Sequence, residues 1–382
     1  MKKLNKIFFA LFTVSSIFAQ TDSATVEFKV FTKSFKIGEE VFVAGNHYKL
    51  GKWNPGYAIL NQINDSAFSK KFTFPVSSII EFKFTKGSWA TEALNEDKTV
   101  QSDHRLKVER DTTLLFSISS WKDEINVEVT GQITGDVEYV KDFKTRIELL
   151  PRDLIVWLPP GYYKNTQERY PVLYMNDGQN VFDPTTSFLG VDWQIDETAD
   201  SLIRKNIIEP IIIVGITNTY NRNVEYSEND TGYAYIDFLI NDVKPFIDAK
   251  YRTKPEKENT AVAGSSMGGL ISFMITWEHP EVFAKAACLS PALKIDKYDY
   301  VDNVDSYEGD KKDFLIYIDN GSVGLEDSLQ TGIDEMLMKL KEKGYEKDKD
   351  YVWFKVEDAA HTEADWAKRN WRFLTLFFGK EK

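Results

Sequence analysis

The chain has 382 residues, 42% of them hydrophobic, with 26 phenylalanines and a formal net charge of −12. That length exceeds one ordinary domain and supplies apolar side chains for two cores. The acidic balance argues against binding a nucleic-acid backbone. No metal-ligand cluster, phosphate-cradling loop or cofactor motif stands out, so neither metal nor cofactor is expected.

The first segment reads as a targeting sequence. Met1-Lys-Lys-Leu-Asn-Lys6 is a basic head, Ile7 to Phe18 form a short apolar run, and Ala19 is small enough to precede cleavage. Residues 1–19 are therefore expected to be a secretory signal peptide, leaving Gln20 first, with an uncleaved anchor as the alternative. No later segment is long and apolar enough to span a bilayer. The expected location is outside the cytoplasm, in a periplasm or the medium.

From about Ala24 to Trp121 short alternating or aromatic runs are separated by turn residues: Val26-Glu-Phe-Lys-Val-Phe31, Glu40-Val-Phe-Val-Ala44, Phe68-Ser-Lys-Lys-Phe-Thr-Phe74, Ile79-Ile-Glu-Phe-Lys-Phe84 and Thr113-Leu-Leu-Phe-Ser-Ile118. This pattern predicts a small antiparallel β-sandwich over residues 20–121. Within it, Val41-Phe-Val-Ala-Gly-Asn46, Leu50-Gly-Lys-Trp53 and Phe82-Lys-Phe-Thr-Lys-Gly-Ser-Trp89 resemble the starch-binding-like, family 20 carbohydrate-binding modules. The resemblance implies that Trp53 and Trp89 stack on sugar rings, whose apolar C–H faces suit flat aromatics. A core-plugging role for Trp53 is the alternative. Residues Ala90-Thr-Glu-Ala-Leu-Asn-Glu-Asp97 depart from that family's pattern. Residues 122–142 read as a linker merging into the first strands of a second domain, 143–382.

In the second domain, Tyr170-Pro-Val-Leu-Tyr-Met175 reads as a central strand opening into Asn176-Asp-Gly-Gln-Asn180. Asn259 to Leu270 read as strand, tight turn and helix, and only Ser266 there has glycines at both −2 and +2, Gly264 and Gly268. A serine forced onto such a turn is strained, and the glycines relieve crowding and leave its Oγ exposed. The helix is expected to stop near His279-Pro280. Cys288, the only cysteine, lies in the apolar run Phe283-Ala-Lys-Ala-Ala-Cys-Leu289, as a buried small hydrophobe.

A nucleophilic serine needs a base. Of four histidines, His47 and His104 lie in the N-terminal region and His279 precedes a proline at a helix end. His361 follows the strand-like Val352-Trp-Phe-Lys-Val356 and precedes a helix expected near Glu363, which makes it the base. An orienting acid belongs between serine and histidine in chain order. The strand Phe314-Leu-Ile-Tyr-Ile318 runs into a loop expected to last until a helix around Thr331–Lys343. Glu326 is the first choice there, with Asp327 and Asp319 as alternatives. The oxyanion donors are expected to be the N–H groups of Met267 and Gln179.

From about Arg146 to Phe378 the chain resembles the putative-esterase family of α/β-hydrolases, which includes feruloyl, acetyl-xylan and enterochelin esterases and mycolyltransferases. The matching residues are Arg152-Asp-Leu-Ile-Val-Trp-Leu-Pro-Pro-Gly161, Tyr170 to Asp183, Val191-Asp-Trp-Gln-Ile-Asp-Glu197, Gly264-Ser-Ser-Met-Gly-Gly269 and His361. The resemblance implies a doubly wound, mostly parallel sheet. It also implies ester chemistry through Ser266 and His361, with Gln179 and Met267 as oxyanion donors. With the appended module, the expected substrate is an acylated carbohydrate. A siderophore esterase, an acyltransferase and a polysaccharide-binding protein with a decayed hydrolase are the alternatives.

Overall fold

The computed structural model describes residues 23–380 except 33–37, 65, 97, 99–100, 102, 125–130 and 296. The expected signal peptide lies outside the described residues. The chain divides into two units, Met1–Asn126 and Val127–Lys382.

The first unit is built from β1 (Ser23–Thr32), β2 (Phe42–Gly45), β3 (Asn61–Asn64), β4 (Ala67–Pro75), β5 (Ile79–Thr85), β6 (His104–Lys107) and β7 (Thr112–Ile118). They form a four-stranded sheet, β3-β4-β1-β7, and a three-stranded sheet, β2-β5-β6. Strand β1 buries every second residue, Ala24, Val26, Phe28 and Val30, as the period of two requires. Phe28 meets Phe82 and Phe84 of the other sheet edge-on. The pairing is antiparallel except between β1 and β7, which run parallel. Alternation alone carries no strand direction, so that pair was not foreseeable. Strand β3 was missed because its Asn-Gln-Ile-Asn segment is exposed throughout and has no apolar face.

The second unit holds an eight-stranded sheet. Its strands are β8 (Asp136–Phe143), β9 (Arg152–Leu158), β10 (Val172–Asn176), β11 (Ile212–Ile216), β12 (Thr260–Ser265), β13 (Lys285–Leu289), β16 (Leu315–Asn320) and β17 (Tyr351–Lys355), with a small β14–β15 hairpin (Lys294–Ile295 and Tyr298–Asp299) beside it. The order is β17-β16-β13-β12-β10-β11-β9-β8, parallel from β17 to β11 and antiparallel at the β11–β9–β8 end. Strand β8 begins inside the stretch expected as a linker.

The helices are α1 (Ile195–Arg204), α2 (Arg222–Glu225), α3 (Asp230–Phe238), α4 (Lys244–Lys250), α5 (Met267–Glu278), α6 (Val301–Ser306), α7 (Leu325–Glu342), α8 (Glu363–Ala367) and α9 (Asn370–Phe378). The central strands are buried on both faces. Val172 and Tyr174 join one core with α5, while Leu173 and Met175 join the other with α1 and α9. From β10 the chain moves first to β11 and then back across to β12, so the strand order reverses at β10. The crevice beyond the carboxyl ends of strands at such a point is where open α/β sheets hold their ligands. Cys288 is fully buried in this sheet. No helix of the described residues is long and apolar enough to cross a membrane.

Candidate active site

The turn at Ser266 follows from the packing around it. Strand β12 is buried from Thr260 to Ser265, and α5 begins directly at Met267. No room is left for a relaxed connection, and Ser266 takes φ 57°, ψ −120°. A Cβ on Gly264 would lie 2.4 Å from the carbonyl oxygen of Gly268, so a side chain there is excluded. The turn is held by the Ser266 N–H donating to Leu289 at the end of β13 (2.9 Å) and by Ala292 N–H donating to the Ser266 carbonyl (3.1 Å). Of the described residues from Thr260 to Trp277, Ser266 alone is not buried.

His361 lies in the loop between β17 and α8, and its Nδ1 is 3.1 Å from Glu326 Oε1. The glutamate is fully buried, and the histidine side chain is 17% exposed. Glu326 also accepts from Ser290 Oγ (2.7 Å) and from the Gly321 N–H (2.8 Å). Burial pushes its carboxyl up, but the hydrogen bonds and charge of His361, with those of Ser290 and Gly321, outweigh it and hold the group below the usual glutamate value. The Trp366 ring meets the imidazole edge-on.

The other two carboxylates go elsewhere. Asp327 is exposed. Asp319 is buried, accepts from Tyr317 Oη (2.7 Å) and lies 3.1 Å from Arg369 Nε; burial, with Arg369 opposing, leaves it at about 6. The acid was expected in a loop, but α7 starts at Leu325, six residues earlier than Thr331, and Glu326 stands in its first turn.

The turn after β10 is a short 3₁₀ segment, Gly178–Asn180, entered through Asp177 at φ 59°, ψ 44°. Gly178 packs on the end of β11, where a Cβ would come within 2.4 Å of the Gly215 backbone. Gln179 accepts from the Asn218 N–H through Oε1 (3.1 Å) and from Thr186 Oγ1 through its carbonyl (2.7 Å). Met267 is the first residue of α5, so its N–H is among those with no acceptor within the helix.

Ser290, Asn218, Arg222 and Arg369 were not anticipated. Ser290 receives Trp366 Nε1 (3.0 Å) and Arg369 Nη2 (2.8 Å) while donating to Glu326. Its partners lie 36 to 79 positions away in the chain, beyond the reach of any local pattern.

No metal-ligand cluster was expected, yet Asp192, Asp196 and Glu197 bring ligand atoms within 4.8 Å of one another at the start of α1. The Thr134 N–H donates to Asp196 (2.6 Å), Gln194 N–H to Asp192 (3.0 Å) and Gln132 Nε2 to Glu197 (2.9 Å). Burial, reinforced by Glu197, pushes the Asp196 carboxyl up to about 8, and burial takes Asp192 to about 6.

In the first unit Trp53 and Trp89 are both partly exposed, with ring centroids 6.3 Å apart and planes at 42°. Neither belongs to the buried core of that unit, which is filled by residues such as Phe28, Phe82, Phe84 and Trp121.

The mostly parallel sheet with a strained serine between β12 and α5 defines an α/β-hydrolase fold. The family described as Putative esterase matches residues 150–374, and the chain belongs to it. The Starch binding domain family matches residues 23–115. An endo-1,4-beta-xylanase/feruloyl esterase of Xylanibacter ruminicola is 37% identical over 145 residues, 35% of this chain and only 19% of that protein. The uncharacterized protein YbbA of Bacillus subtilis is 22% identical over 60% of this chain and 94% of its own. Among solved structures, a ferulic acid esterase is similar in fold (TM-score 0.53, 20% identity) over 64% of this chain and 99% of that one. The enterobactin esterase of Shigella flexneri is similar in fold (TM-score 0.54, 12% identity) over 93% of this chain and 92% of that one.

Proposed function

We propose that this chain is an exported serine esterase that hydrolyses carboxylic esters, with acyl groups on carbohydrates as the substrate class. The observation that carries the reading is the 3.1 Å contact between His361 Nδ1 and the buried Glu326, beyond the same carboxyl ends of the parallel strands as the strained Ser266.

In this mechanism Ser266 Oγ attacks the ester carbonyl as His361 Nε2 takes its proton. Glu326 accepts the Nδ1–H, fixes the tautomer and stabilises the imidazolium that forms. The N–H groups of Gln179 and Met267 bind the developing oxyanion. His361 then returns the proton to the leaving alcohol, leaving an acyl-enzyme on Ser266. A water activated by His361 attacks the acyl carbon, and Ser266 regains its proton as the acid departs. No metal or cofactor enters these steps.

The match of residues 23–115 to the starch-binding family supports a carbohydrate context, with Trp53 and Trp89 as the stacking platform. The catalytic groups would equally serve a siderophore ester. The fold likeness to an enterobactin esterase over 93% of the chain makes that the second reading.

The test compares the parent with Ser266→Ala on p-nitrophenyl acetate, acetylated and feruloylated oligosaccharides and a catechol trilactone. Turnover of a sugar ester, abolished by the substitution, is the expected result. Turnover of the trilactone alone would move the substrate class to siderophores. Product appearing on a sugar acceptor in preference to water would make the enzyme a transferase. Turnover that survives in Ser266→Ala would remove the serine mechanism.

A further inference from the structure

Arg222 stands between two turns of the site. Its guanidinium grips both oxygens of Asp177, Nε to Oδ1 and Nη2 to Oδ2 at 2.6 Å each, and Nη2 reaches the Ser265 carbonyl at 3.4 Å. The same Nη2 is 3.8 Å from where a Cβ on Gly268 would stand. Glu363, two residues beyond His361, adds its negative charge to the surroundings of Arg222. One cation thus faces both the turn bearing Gln179 and the elbow bearing Ser266.

We propose that Arg222 is a positioning residue that sets the turn carrying the Gln179 N–H against the nucleophile elbow. Asp177 is held in the left-handed region immediately before Gly178 and Gln179, so its torsions aim the Gln179 N–H. A planar guanidinium fork fixes the direction of a carboxylate as well as its distance, which an ammonium cannot do. Asn218 completes the clamp, its Nδ2 donating to Asp177 Oδ1 (2.6 Å) and its N–H to the Gln179 side chain. Arg222 is itself braced. It stacks over the Tyr226 ring, and it opens α2, whose Glu225 is locked to Arg152 by two 3.0 Å hydrogen bonds.

The inference rests on the serine-esterase reading and deepens it. Oxyanion donors act on charge that exists only in the transition state, so a loosened donor lowers kcat far more than it raises KM.

The full chain, its Arg222→Lys, Asp177→Asn and Ser266→Ala variants are assayed with p-nitrophenyl acetate, titrated with phenylboronic acid and melted by circular dichroism. Arg222→Lys is expected to lose roughly 10- to 100-fold in kcat, with KM within about threefold, since misplacing a catalytic group by about 1 Å costs up to this much. Boronate affinity should fall with kcat, because the tetrahedral adduct uses the same donors. If Arg222→Lys fails to fold, Asp177→Asn carries the same expectation. A folded variant with parental kcat and a lowered melting temperature would overturn the proposal, as would a raised KM at unchanged kcat. With turnover abolished in Ser266→Ala, those results remove only the role of Arg222. Turnover surviving in Ser266→Ala removes both it and the esterase mechanism.

Discussion

At the scale of single residues, Glu326 and Asp327 differ by one position on a helix and by everything in environment. One step of about 100° around the axis of α7 takes a carboxylate from full burial beside His361 to solvent. Glu326→Ala should therefore lower kcat by about 10⁴, as loss of a triad orienter can, while Asp327→Ala leaves it near the parent value. Steady-state assays of the two variants check this, and the reverse pattern would reassign the acid. Ser266 was legible because the chemistry of a strained turn is written in its immediate neighbours, Gly264 and Gly268. His361 could be singled out as the candidate base because few histidines compete. The sequence favoured Glu326 over Asp327 as the candidate acid only narrowly, because which of the two faces inward depends on where α7 starts. That start is set by Gly324 at φ 67° and by the Ala359 carbonyl receiving Ser322 and Val323 N–H, a contact from the loop after the neighbouring strand β17, some 36 positions on in the chain.

At the scale of elements, the start of α1 gathers charge in a way its sequence conceals. Asp192, Asp196 and Glu197 look like solvated helix-start acids, which the positive end of the helix dipole favours. The structure buries Asp196 completely against Thr134, and its carboxyl keeps a proton up to about 8. The unfolded chain releases that proton near 3.8. Between these values the folded state binds more protons than the unfolded one, so this group makes stability fall as pH rises. Asp196→Asn removes the cost and keeps an acceptor for Thr134. Its melting temperature should exceed the parent's at pH 8, with the difference shrinking toward pH 5. A variant less stable than the parent at pH 8 would mean that the carboxylate is charged and compensated there. The central strands were readable as continuous apolar runs because both faces of the sheet are covered, whereas the parallel β1–β7 pair and the exposed β3 left no such trace.

At the scale of the whole molecule, the two units were visible as a change of texture, alternating aromatic runs giving way to long buried ones. The family matches fall on either side of that change, at residues 23–115 and 150–374. The tryptophan pair gives the first unit a testable task. Loss of Trp53 and Trp89 to alanine should abolish retention on insoluble polysaccharide while turnover of p-nitrophenyl acetate stays at the parent level, since the double variant removes both partly exposed rings on which a sugar face would stack. Pull-down with starch and xylan beside the soluble assay checks it, and unchanged retention would release the pair from that role.

Cys288 is the chain's only cysteine and lies fully buried in β13, where burial and the charge of Asp319 raise its thiol far above the ordinary value. The folded surface is consequently blank to thiol chemistry. A cysteine placed on any exposed loop would be the sole site for a maleimide dye, so a fluorophore or spin label could be attached there without first deleting a native thiol.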